Sequence, residues 1–318
     1  MADDIPAGRV MVALGGNAIS PPGEASTAEA EQETVAKAMV AIADLIVDGW
    51  RLVLTHGNGP QVGQLMVQNE MASAFVPPMP LHFCVAQTQA TIGFAICNTL
   101  EYHLAQRGSD LSVVPIVSRV LVDADDPDWD DPSKPIGSYL SDEVEARRRM
   151  ERTGQVWKSF GDKGWRRVVP SPEPKALLDG YTLGMLLEAG AVVVVNGGGG
   201  IPMVRRDGQL QGVEAVVDKD LSAALVANRI GAAELVILTD VQGVALHYGT
   251  PRQEWLGEVA VADLRRLHAE GHFAAGSMGP KVEAACRFVE QSGGTAVIAA
   301  LDDIGDAVRG RTGTRIRP

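Results

Sequence analysis

Residues 192–204 read VVVVNGGGGIPMV. Four consecutive valines suit a strand buried on both faces, because a half-exposed strand would carry polar residues at alternate positions. The four glycines after Asn196 bring only main chain, with no side chain to pack, cap or react. Either they form a pliant turn, or something approaches the backbone closely there.

The same motif recurs on both sides of this stretch. VMVAL (10–14), LVLT (52–55), VVPIV (113–117), LVILT (235–239) and AVIAAL (296–301) are short, continuous and largely β-branched. Amphipathic segments alternate with them. TVAKAMVAIADLIVDG sets Val35, Met39, Ile42 and Ile46 on one helical face and closes at Gly49; DLSAALVANRIG sets Leu221, Leu225 and Asn228 together and closes at Gly231. Buried strands alternating with helices predict an α/β fold, an open three-layer α/β/α sandwich around a parallel sheet. Residues 122–174 break the pattern with an acidic, proline- and tryptophan-rich run. That length is unusual for a connection, and we read it as a small lid-like subdomain inserted into a single catalytic domain spanning 1–318.

The chain has 318 residues, 46% hydrophobic and 21% charged, with a net charge of −12. That balance argues against a nucleic-acid or anionic-membrane footprint, so an anionic ligand must be met by a few local cations. No apolar run approaches the roughly 20 residues of a membrane span, and residues 1–10 lack an apolar signal core. Cys84, Cys97 and Cys286 are widely spaced and show no metal-binding pattern, so we expect reduced, buried thiols in a cytoplasmic protein. The basic run 309–318 reads as a solvated end.

Parallel strands place their ligand sites at their carboxyl ends. Here those ends carry Gly15, Gly16 and Asn17; then His56, Gly57, Asn58 and Gly59; then Gly197 to Gly200, including Gly198 and Gly199; and then Asp240. Exposed backbone amides at helix starts bind anions, so the glycines lean toward a phosphate or carboxylate cradle. The dinucleotide fingerprint, the Walker sequence, the nucleophile elbow and the zincin motif are all absent. Two lysines occupy unfavourable places. Lys219 follows the N-cap candidate Asp218, and Lys281 follows Pro280, so both fall in the first turn of a helix, where a cation opposes the macrodipole. Facing a polyphosphate, both placements become favourable, with Asp220 as organiser. Lys134, the only cation between Asp123 and Ala146, sits between two prolines and could be delivered to a substrate on closure.

Taken in order, ALGGNAI, THGNGPQVG, DPSKPIG, GWRRVVPSP, GGGGIP, GVEAVVDKD and GHFAAGSMGPK resemble the carbamate kinases of the amino acid kinase superfamily. The resemblance implies an eight-stranded, mainly parallel sheet, a homodimer and an inserted subdomain over the active site. It implies the reaction ATP + carbamate ⇌ ADP + carbamoyl phosphate with Mg²⁺ accompanying ATP or ADP, working toward ATP synthesis. By resemblance, Gly15, Gly16, Asn17, Gly57, Asn58 and Gly59 line the carbamate and phosphoryl site. Lys134, Lys219 and Lys281 neutralise phosphoryl oxygens, and Asp240, Tyr248, Ser277 and Met278 lie near the nucleotide. Gln242 and Ala275 depart from the family pattern, both on the nucleotide side. Carbamate is already an anion and needs no general base, so His56 reads as a loop-shaping residue. The stretch 80–100 is a candidate dimer interface. The rival readings are a kinase for a larger carboxylate such as acetylglutamate, and a non-catalytic nucleotide or anion binder.

Overall fold

The six apolar runs are six strands of one sheet. The computed structural model describes residues 8–20, 27–273 and 277–318. In chain order the sheet holds β1 (Val10–Leu14), β2 (Leu52–His56), β3 (Val113–Pro115), β4 (Val192–Val194), β5 (Glu234–Thr239), β6 (Glu258–Ala260), β7 (Thr295–Ala300) and β8 (Thr314–Arg317). Across the sheet the order is β6-β8-β7-β5-β1-β2-β4-β3. The six strands from β7 to β3 run parallel. β8 is antiparallel to β7, and β6 runs parallel with β8.

Strand alternation divides the core into two halves. Val10, Val12, Leu14, Leu54, Val194, Val236 and Leu238 point to one face. There they meet α1 (Ala28–Val47), α3 (Leu81–Gln106) and α9 (Ile304–Val308). Met11, Ala13, Val53, Val193, Leu235 and Ile237 point to the other. They meet α5 (Gly180–Glu188), α6 (Lys219–Arg229), α7 (Val261–Ala269) and α8 (Met278–Ser292). Both faces are covered, which is why these strands read as unbroken apolar runs. Among the described residues no helix is long and apolar enough to cross a membrane, and all three cysteines are free and buried.

Three details differ from the sequence reading. The basic run is not a loose end: Thr314 and Ile316 are fully buried in β8, while Arg315 donates to Glu234 at 3.1 Å. Alternating small or apolar residues between arginines made a strand out of what looked like a charged tail. In α6 the fully buried side is Ala223, Val226 and Ala227, not Leu221, Leu225 and Asn228. The alanines let the helix lie close to the sheet, and Leu221 and Leu225 pack at its margins. Finally, α8 begins at Met278, two residues before Pro280.

Residues 134–169 form an antiparallel three-stranded sheet, with Lys134–Leu140 and Val156–Ser159 flanking Trp165–Val169, and α4 (Glu143–Thr153) packs on it. A separate four-stranded sheet joins Arg119–Val122 and Pro174–Leu177 to the hairpin Ile201–Arg206/Gln209–Gly212. Glu214 links these parts to α3. Its carboxylate accepts from the Leu81 backbone N–H at 2.6 Å and from Arg167 at 3.1 Å.

Candidate active site

From β1 the chain passes to β2 on one side, and β5 flanks β1 on the other. That reversal leaves a crevice at the carboxyl ends of the central strands. A cleft of about 1240 Å³ opens there, bounded by Gly15 and Gly16 after β1, Gly57 to Gly59 after β2, Asp240 after β5 and Leu301 after β7, and on the far side by Lys134 to Ser138 of the insertion.

The N-terminus of α6 organises its charge. Asp218 caps the helix with one carboxylate oxygen, accepting from the Asp220 and Leu221 backbone N–H groups at 2.9 and 3.2 Å. Its other oxygen accepts from Lys134 Nζ at 2.9 Å, so the insertion is tied to the helix across the cleft. Asp220, 4% exposed, takes one lysine on each oxygen: Lys219 Nζ at 2.7 Å and Lys281 Nζ at 2.8 Å. Burial alone would push the Asp220 carboxyl up, but the two ammonium groups outweigh it and hold it at about 2. Three ammonium groups thus converge on two neighbouring carboxylates, and all three lysines line the same cleft. The pairing of Lys134 with Asp218 gave no signal in the sequence, since the two lie 84 residues apart.

The glycines fall into two kinds. Gly16 and Gly59 have open space where a β-carbon would sit, and both face the cleft. The quartet is the opposite. A β-carbon on Gly197 would lie 2.3 Å from His56 Nε2, on Gly198 2.1 Å from Asn58 Nδ2, on Gly199 2.3 Å from the Val217 carbonyl and on Gly200 2.5 Å from Val120 Cγ2. Gly198, Gly199 and Gly200 also have positive φ. What approaches this backbone is the protein itself, three side chains and one main-chain carbonyl. Gly198 alone of the four lines the cleft, and Gly199 lies beneath Val217. The quartet is thus packed on its β-carbon side, with Gly198 reaching the cleft, while the open glycines are Gly16 after β1 and Gly59 after β2.

His56 is 1% exposed, and its Nδ1 lies 2.9 Å from the Gly57 carbonyl. Burial pushes its pKa down to about 4 against that hydrogen bond, with Lys219 adding to the effect. The ring is neutral and Nδ1 carries the proton it donates. Asn58 donates to Thr88 Oγ1 at 2.9 Å, which fixes its amide beside Gly198. The Asn17 backbone lies in the 3-10 turn Gly16–Ala18.

On the other flank, Asp240 and Ser277 line the cleft. Tyr248 does not: it is 62% exposed and meets Trp255 edge-on beside a two-stranded hairpin. Met278 packs against the core instead. Gln242 is exposed, and Ala275 lies outside the described residues. The sequence reading missed Arg166, which reaches the cleft from the insertion.

Ammonium groups aimed by one buried carboxylate can steady a group that carries negative charge as it moves, and the profile of the amino acid kinase family matches residues 8–300, so the chain belongs to that family. It is a phosphotransferase of that family. The chain is 44% identical over 312 residues to the carbamate kinase of Pyrococcus furiosus, covering 98% of this chain and 99% of that one. The structure of the Giardia lamblia carbamate kinase bound to AMP-PNP superposes with a TM-score of 0.91 at 36% identity, over 100% and 99% of the two chains. An N-acetylglutamate synthase from Neisseria gonorrhoeae, 16% identical with a TM-score of 0.55 and 61% of its chain covered, shares the fold alone.

Proposed function

We propose that the chain catalyses ATP + carbamate ⇌ ADP + carbamoyl phosphate. The observation that carries this reading is the Asp220 clasp, which holds two ammonium groups at the cleft opposite the insertion's Lys134. The full-length likeness to carbamate kinases supports it.

In the forward direction a carbamate oxygen forms a bond to the γ-phosphorus as the bond from that phosphorus to the ADP oxygen breaks. No proton need move, because the nucleophile is already ionised. The neutral, buried His56 fits that requirement. The difficulty is repulsion between two anions. Lys219 and Lys281 spread positive charge along the transferring group, and the open backbone at Gly16 and Gly59 gives its oxygens room to approach amide N–H groups. Lys134 brings the third charge from the insertion, which we read as a subdomain that covers the site and excludes water. Asp240 and Ser277 mark the nucleotide flank.

Mg²⁺ fits as a companion of the nucleotide. Among the described residues no cluster of three metal-ligating side chains exists, and Asp218 and Asp220 are occupied by lysines. Among the described residues Asp240 accepts from Thr239 Oγ1 alone, so it is the carboxylate there left to share a metal held mainly by phosphates, the usual mode for this ion. When bound it would neutralise phosphate charge. Carbamoyl phosphate is a mixed anhydride, so the working direction is ATP synthesis.

A second copy completes the reading. Phe83, Phe94 and Tyr102 are each more than half exposed on the outer side of α3, at spacings of eleven and eight residues that keep one helical face. A homodimer through this face covers them. Phe94→Glu is expected to convert a dimer to a monomer by light scattering, and a monomeric wild type would refute the assembly. The reaction itself is tested by ATP formation from ADP and carbamoyl phosphate. No ATP above the enzyme-free rate, or faster turnover with acetylglutamate in the reverse assay, overturns it.

A further inference from the structure

Of the cations at the cleft, Lys134, Lys219 and Lys281 each rest on a carboxylate. Arg166 does not: among the described residues it forms no ion pair. Its neighbours in the insertion do, Arg147 with Glu143, Arg149 with Glu145 and Glu70, Arg167 with Glu214 and Lys158 with Asp131. In a chain of net charge −12, carboxylates are plentiful, and a cleft arginine without one retains its charge for something else.

The side chain is nonetheless held in place. Arg166 Nε donates to the Gly137 carbonyl at 2.9 Å, and the guanidinium carbon lies 4.8 Å from the centre of the Tyr139 ring. The carbonyl is presented by a bulge. Ile136 pairs with Arg167 and Tyr139 with Arg166, so Gly137 and Ser138 loop out of the ladder between them. Gly137 has φ +67°, and the backbone of Gly63 in α2 (Gly59–Ala72) comes close against it, a β-carbon there falling 3.6 Å from Gly137 Cα. Bulges of this kind re-aim side chains next to functional sites. With Nε occupied and one ring face stacked, the two terminal NH₂ groups remain, and their planar pair matches two oxygens of a phosphate or carboxylate.

We propose that Arg166 is a substrate-binding residue for the small anionic partner, contacting oxygens of carbamoyl phosphate rather than of the nucleotide. Its position assigns it that side. It belongs, with Gly137 and Ser138, to the three-stranded sheet that brings Lys134 to the cleft, whereas Asp240 and Ser277 come from the end of the main sheet's β5 and the start of α8. This inference rests on the phosphoryl-transfer reading above and adds a specific contact to it. An unpaired arginine also supplies what the paired lysines lack, an uncompensated charge that draws an anion in and is neutralised only when the ligand arrives.

The test measures KM for carbamoyl phosphate and for ADP separately, in wild type, Arg166→Gln, Arg166→Lys and Tyr139→Leu. Arg166→Gln is expected to raise KM for carbamoyl phosphate at least tenfold with KM for ADP within threefold, Arg166→Lys to recover part of the loss, and Tyr139→Leu to raise the same KM while keeping the charge. An unchanged KM for carbamoyl phosphate in Arg166→Gln, or an equal rise for ADP, overturns the assignment. Should Arg166→Gln fail to fold by circular dichroism, Tyr139→Leu and Arg166→Lys decide, and wild-type values in both overturn it. A wild type that forms no ATP would instead refute the reaction. Carbamoyl phosphate binding by calorimetry then reads Arg166 alone, and equal affinity in Arg166→Gln and wild type refutes its role.

Discussion

Replacing Asp220 with asparagine keeps its shape and removes the charge that holds Lys219 and Lys281. The carboxyl sits at about 2 in the folded protein against an ordinary 3.8, which corresponds to about 2 kcal/mol of stability. The sign follows from linkage. The folded pKa is depressed, so this stability is fully present above 3.8 and is lost as pH falls through about 2. At neutral pH the asparagine stands in for the protonated acid and forfeits the whole amount. With an unfolding entropy of roughly 2.1 cal/mol/K per residue over 318 residues, Tm is expected to fall by about 3 °C. Two ammonium groups released from their shared partner also lose alignment on the transferring phosphate. Turnover should drop by about 10²-fold or more, the scale of one electrostatic donor in a closed site. Differential scanning fluorimetry and a coupled ATP assay read the two effects, and Asp220→Glu, which retains the charge, should recover part of each. A turnover within threefold of wild type with Tm unchanged would refute the clasp.

Lys281→Ala and Lys134→Ala should each cut turnover by about 10²-fold, from the loss of roughly 3 kcal/mol of transition-state stabilisation; steady-state rates within threefold would dismiss either role. Gly198→Ala meets Asn58 at positive φ, so it should cost about 1–3 kcal/mol of stability, whereas Gly16→Ala, with open space, should melt like wild type yet lose activity as its methyl group enters the cleft. Equal melting of the two variants would contradict this division. His56 titrates at about 4 when folded and 6.5 otherwise, so the unfolded chain binds the extra proton between those values and stability climbs with pH across that window by about 3 kcal/mol. His56→Asn, which can keep a donor for Gly57, should flatten the rise in Tm between pH 4 and 6.5; an undiminished slope would locate the acid sensitivity elsewhere.

Strand positions were legible because burial on both faces writes itself as valine and isoleucine runs, and parallel strands necessarily bring their carboxyl ends to one edge. Lys219 and Lys281 stood out through local chemistry, each close behind a helix-starting residue. Long-range pairings left no such trace. For the glycine quartet the sequence shows only the missing side chains and not what occupies their space, which here is His56, Asn58, Val217 and Val120. Arg166 was hidden in the WRR run for a related reason. Alternation puts Arg166 and Arg167 on opposite faces of their strand, but nothing local in the sequence says which face meets the cleft. Tyr248 comes to the nucleotide flank by resemblance alone, and the structure leaves it exposed beside a hairpin.

The pairing of every cleft lysine with a carboxylate before any ligand enters has a consequence for how the protein handles phosphate. A pocket of bare ammonium groups would be a sponge, gripping ADP and ATP alike and surrendering neither. Here an arriving phosphate must share Lys219 and Lys281 with Asp220, and Lys134 with Asp218, so resting ligands are held lightly while the groups stay aimed. Binding that is equal for ground and transition states gains no speed once the site is filled, and this chain forgoes some of it. The result is a turnstile rather than a store.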